Sequence, residues 1–142
     1  MGGSAHGVEK GGLTELGKKA VQQMEALQMI IDLSHASPTL IDEVLEMTSR
    51  PVMVSHTGVK GCLNNSRNLS DEQLKEFAFR GGLIGISFCE EAVGKEGVKE
   101  LPYKDISLYV SRVMDFKDQV VAVQLTKKML LKDLELPTLK LM

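Results

Sequence analysis

Three residues have types and settings suited to chemistry: His35, His56 and Arg67. His35 closes the stretch MIIDLSH (29–35), where an apolar run gives way to Ser and Pro, and His56 closes PVMVSH (51–56) in the same setting. Neutral imidazole is a common ligand for zinc-like metals, and a hydrolytic centre adds carboxylates and keeps a position open for water. Taken singly, each histidine reads as a residue capping a turn. Repetition of Ser-His after successive apolar runs favours two ligands converging on one ion. Arg67 lies in the loop after His56, where its planar fork suits a bidentate grip on a carboxylate. Beside Asn68 and a helix cap it also reads as a solvated loop arginine. Asp32 and Ser34 flank His35, and Asp32 reads as structural or as support behind a ligand. His6 sits in a glycine-rich stretch and reads as an ordinary loop residue.

Two strand-end histidines meet only if the elements between them bring the strand ends together. Leu13, Leu16, Ala20, Val21, Met24 and Leu27 recur at helical spacing behind Thr14 as N-cap. Met29–Leu33 then reads as a short buried strand. Ser37 and Pro38 open a second helix with Leu40, Ile41, Val44 and Leu45 as its apolar stripe, and Pro51 ends it before the strand of 51–55. Ser70 and Gln73 form a capping-box pair for a third helix lined by Leu74, Phe77 and Ala78; Gly81 and Gly82 end it before Leu83–Phe88, a third strand. Apolar strands alternating with helices of about a dozen residues predict parallel pairing, an α/β fold with an open sheet or a closed barrel. In such folds the carboxyl ends of the strands carry function, and neighbouring strands lie about 4.8 Å apart. Further on, Ile106–Phe116 reads as a helix and Gln119–Leu125 as a strand, while the Leu- and Lys-rich end has no strong period.

Composition excludes several functions. The 142 residues carry 17 basic and 19 acidic side chains, a net charge of −2 with no basic block to bind nucleic acid. No apolar run approaches the roughly 20 residues of a membrane span, and MGGSAHGVEKGG is no secretory signal, so a cytoplasmic location is expected. Cys62 and Cys89 make neither a disulfide framework nor a CxxC metal site and read as reduced thiols. One domain is expected over 1–142: a glycine-rich leader (1–12), βα units (13–91) and a divergent tail (92–142).

The segments GGLTELGKKAVQQMEALQMIIDLSHAS, PVMVSHTG, SRNLSDEQL and GGLIGISF, in that order and spacing, resemble the membrane (renal-type) dipeptidases over roughly Gly11 to Glu91. The resemblance implies a (β/α)8 TIM-type barrel of the metal-dependent hydrolase kind, with a two-zinc site that hydrolyses dipeptides through a metal-bridging hydroxide. It implies His35 and His56 as the fifth- and sixth-strand ligands of one zinc, and Arg67 as the arginine that binds the substrate's carboxylate.

The departures are equally specific. The family's first-strand His-x-Asp, its bridging third-strand Glu and its fourth-strand histidine would all precede Met1, and DQVVAVQLTKK carries no acid where the eighth strand should. A barrel needs roughly 250 residues. The expectation is a fragment covering about strands five to seven, with an altered C-terminal part, half of one zinc site and no complete catalytic set. Exposed sheet edges would favour self-association. The alternative is a non-catalytic α/β module that binds a metal or an anionic peptide terminus, or that complements another chain.

Overall fold

A computed structural model describes residues 1–8, 11–87, 89–94 and the backbone of 122–124. Helix α1 (Glu15–Ala26) starts at Thr14, whose side chain accepts from Gly17 N, and α2 (Pro38–Met47) starts at Ser37, which accepts from Leu40 N. Strand β1 (Met53–Thr57) leads through an ordered loop to α3 (Asp71–Phe79), whose capping box joins Ser70 and Gln73 as the sequence predicts. Gly81, at φ +68°, closes α3 and passes the chain into β2 (Leu83–Ser87); β3 (Ala122–Gln124) falls within the expected 119–125 run. The sheet is parallel in the order β1-β2-β3. The helix expected over Ile106–Phe116 lies outside the described residues.

Three expectations are modified. The strand expected over 51–55 runs over Met53–Thr57, so His56 lies within it rather than just beyond its end. Met29–Leu33 forms a single parallel bridge, Asp32 to Met53, rather than a full strand. Its first residue finishes α1, with Met29 N donating to Met24 O, and its last carbonyl closes a turn by accepting from Ala36 N; only 31–33 remain to pair with β1. In α1, Leu16 and Leu27 are exposed while Gly17 and Val21 are buried. The buried face is turned toward the N-terminal segment: Thr14 N donates to Met1 O, and a Cβ on Gly17 would meet that same carbonyl at 2.0 Å.

One core runs from α1 to residue 93, joining Val21, Ile31, Leu33, Val44, Val54, Leu74, Phe77 and Ile86. The leader is tied to it, through bridges from Gly2 to Leu13 and from Ser4 to Ala36. The register between β1 and β2 slips by one residue between Val54 and Thr57, so Ser55 and His56 lie in a bulge. The strand's burial pattern records the slip, since Val54 and Thr57 are both buried although strict alternation would separate them. Gly85 permits the close approach there: a Cβ would lie 2.0 Å from Ser55 O. Among the described residues no helix is long and apolar enough to cross a membrane.

Candidate functional site

The turn after Leu33 and the bulge of β1 bring the two histidines together at the carboxyl edge of the sheet. His35 Nε2 and His56 Nε2 lie 2.7 Å apart, with the rings edge to face. His35 has left-handed backbone, φ 65°, which is uncommon outside glycine, and its carbonyl accepts from Ala5 N at 2.9 Å. His56 Nδ1 lies 2.9 Å from Ser55 Oγ, so its Nε2 is the nitrogen presented to His35. Ser34 Oγ and Ser55 Oγ are 2.9 Å apart, and Asp32 Oδ1 accepts from Ser34 N at 2.9 Å and Ser55 N at 3.1 Å.

Arg67 joins the pair. Its loop is held by asparagines: Asn65 Oδ1 accepts from the backbone N–H of Arg67 and Asn68, and buried Asn68 donates to the carbonyls of Leu63 and Ala92. Arg67 O accepts from Thr57 Oγ1 at 3.0 Å. The side chain is only 7% exposed, and its Nη1 lies 2.6 Å from His35 Nδ1 and 2.9 Å from His6 Nε2. A guanidinium only donates, so both ring nitrogens accept and His35 carries its proton on Nε2. Glu91 Oε2 stands 3.7 Å from Arg67 Nε and 3.9 Å from His6 Nε2. Arg67 Nε itself is buried without a hydrogen-bond partner.

The electrostatics favour neutral imidazole. Burial, then the positive charge of Arg67 and the two neighbouring histidines, push His35 below its usual 6.5. Neutral histidine is the form that can ligate a metal. For Asp32, burial opposes ionisation, but hydrogen bonds from Ser55 and Ser34 outweigh it and hold the carboxyl at about 2.

The structure therefore brings together His35, His56 and Arg67, which the sequence singles out, and adds two residues it does not. His6, expected to be an ordinary loop residue, reaches the site because Gly3, Ala5 and Ser66 knit the leader to the neighbouring loops. No local pattern in a glycine-rich stretch signals that contact. Glu91 was legible in principle, since it follows β2 at the same sheet edge as the histidines. As a donor set, two facing imidazoles suit a zinc-like ion. Among the described residues no group of three or more His, Cys, Asp or Glu is disposed to hold a metal. The fit is thus to two ligands, not to a full coordination shell.

The profile of the membrane dipeptidases (peptidase family M19) matches residues 2–126. The chain belongs to this family. Among curated M19 relatives, mouse dipeptidase 3 is 40% identical over 76 residues, which is 54% of this chain and 15% of that protein. Among solved structures, the probable dipeptidase PvdM from Pseudomonas aeruginosa is 32% identical, with a TM-score of 0.54 over 56% of this chain and 20% of its own. A metallopeptidase from Rhodobacter sphaeroides, solved with a phosphinate mimic of the dipeptide L-Ala-D-Ala, shares the fold at 22% identity and a TM-score of 0.70, covering 85% of this chain and 35% of its own. The matched part of the chain thus spans only about 15% of the length of mouse dipeptidase 3. It is a metallodipeptidase-family α/β protein with parallel strands.

Proposed function

We propose that this chain supplies part of a zinc-dependent dipeptidase site, with His35 and His56 as nitrogen ligands of one zinc in a two-zinc centre and Arg67 as the group that binds the substrate's carboxylate. The 2.7 Å approach of the two Nε2 atoms carries the reading. Family membership supports dipeptides as substrates, and the strand order supports a segment of a (β/α)8 barrel covering about its fifth to seventh strands. Bound zinc supplies Lewis acidity. The chain's own residues set Ser55 Oγ against His56 Nδ1, keep His35 neutral, and offer the largely buried guanidinium of Arg67 to a carboxylate. As an isolated chain it is inactive, because two imidazoles do not complete a two-metal centre.

Isothermal titration with zinc tests the reading: the parent should bind, and His35→Ala and His56→Ala should each lose binding. Dipeptide hydrolysis assayed with added zinc should show no turnover, and robust turnover would contradict the half-site reading. A second reading, a non-catalytic module that binds an anionic peptide terminus, is favoured by the buried Nε of Arg67, which has no hydrogen-bond partner and only a 3.7 Å ion pair with Glu91. Peptide binding that is indifferent to zinc and lost in Arg67→Ala would select it.

A further inference from the structure

We propose that Asp32 is a positioning residue for the histidine pair: its Oδ1 ties the turn carrying His35 to the strand carrying His56 and so sets the separation of their Nε2 atoms. The inference rests on the reading of that pair as zinc ligands.

In the parallel pairing of 31–33 with β1, Met53 N donates to Ile31 O at 2.9 Å and Leu33 N donates to Met53 O at 2.8 Å. The next rung of such a ladder would take Ser55 N to Leu33 O. Leu33 O is instead engaged by Ala36 N at 3.1 Å, closing the turn that holds His35 in its left-handed conformation. Ser55 N would be left without a partner, and an unpaired main-chain donor is costly. Asp32 Oδ1 takes the place of the missing carbonyl, accepting from Ser55 N at 3.1 Å while also accepting from Ser34 N at 2.9 Å. One oxygen thus receives an N–H from each of the two segments.

Two further ties lie next to the ligands. Ser34 Oγ accepts from His56 N at 3.2 Å and lies 2.9 Å from Ser55 Oγ, the atom that also faces His56 Nδ1. The strand can therefore stop early, turn sharply and present His35, while remaining fixed to the bulge that presents His56. An apolar residue at 32 would keep the pairing of Met53 and lose this connection.

The test uses the full chain, with zinc affinity measured by competition titration and the proximity of the two rings measured by NMR. Support behind a metal ligand typically changes affinity by roughly 10–100-fold. Asp32→Ala should weaken zinc binding by that amount at a temperature where circular dichroism shows it folded. Asp32→Asn, whose Oδ1 still accepts both N–H groups, should stay within about threefold of the parent, a rescue that a charge effect would not give. If Asp32→Ala does not fold, Ser34→Ala removes the serine ties alone and should weaken binding less than the loss of either histidine, with the core intact. Zinc affinity unchanged in Asp32→Ala and Ser34→Ala, but lost in His35→Ala and His56→Ala, would overturn the inference. Zinc binding unaffected by either histidine substitution would instead reject the ligand reading. Ring proximity then decides alone: its loss in Asp32→Ala and retention in Asp32→Asn supports positioning by Asp32, and its retention in both refutes it.

Discussion

Arg67 Nη1 donates to His35 Nδ1 at 2.6 Å, and this contact fixes where His35 keeps its proton. With Nδ1 accepting, the hydrogen sits on Nε2 and points to His56 Nε2. A histidine that ligates through Nε2 carries its proton on Nδ1, the atom Arg67 now faces. The Arg67–His35 contact and ligation through His35 Nε2 are therefore alternatives.

Arg67→Ala should consequently bind zinc at least as tightly as the parent while losing affinity for a small peptide carboxylate. Hydrogen bonds to charged groups contribute about 1.5–3 kcal/mol each, so the carboxylate loss should reach roughly tenfold or more. Paired titrations, zinc in one and a dipeptide in the other, check the two directions independently. Zinc affinity falling in parallel with peptide affinity would show that Arg67 supports the pair rather than competing with it.

Acid should act on the clamp. The Asp32 carboxyl sits at about 2 in the folded chain against an ordinary 3.8, so the unfolded chain binds the proton first as pH falls. Its contribution to stability is complete above about pH 4 and is lost as pH drops through about 2. Asp32→Asn has no such proton to bind. Thermal melts between pH 5 and 2 should show the parent's advantage over Asp32→Asn shrinking across that window, and a constant gap would count against the assignment.

Gly85→Ala should destabilise the sheet at the bulge. The added methyl would meet Ser55 O at 2.0 Å, a main-chain atom that cannot swing aside. Overpacking of this kind costs typically about 1–3 kcal/mol. Urea unfolding should show a lower midpoint with an unchanged slope, and the His35–His56 ring contact should loosen in the same variant.

Ser70→Ala removes one half of the α3 capping box and should cost about 1 kcal/mol. Ser70 lies three residues after Arg67, but its side chain is engaged with Gln73 N within the cap rather than with the site, so the loss should appear in the unfolding midpoint and leave zinc affinity unchanged.

Local signals in the sequence carried much of this fold. Thr14, Ser37 and Ser70 each cap a helix where the pattern places one, and the strands read at 51–55 and 83–88 form at 53–57 and 83–87. Those features depend on residues within a few positions of one another. What escaped is long-range. Met29–Leu33 has the composition of a strand, yet its ends are claimed by α1 and by the Ala36 turn. Leu16 and Leu27 fit the helical period of α1, but the course of Met1 across Gly17 decides which face is buried. His6 reaches Arg67 from 61 residues away, a separation no periodicity encodes. The site was legible in its ligand types and their Ser-His setting; the oxygen that joins the two segments was not, because an acid in an apolar run has no fixed partner until the fold exists.

The left-handed backbone of His35 has a consequence for how this position tolerates change. The residue type best suited to φ 65° is glycine, and the one best suited to the site is histidine. Conformation and chemistry are in competition there. A substitution to glycine would relieve the main chain while deleting the imidazole, giving a sturdier protein with a poorer site. Screens that reward only thermal resistance should enrich that exchange, whereas selection for peptide cleavage in an active family member should eliminate it. The histidine at 35 is thus the kind of residue a purely stability-driven redesign would discard first.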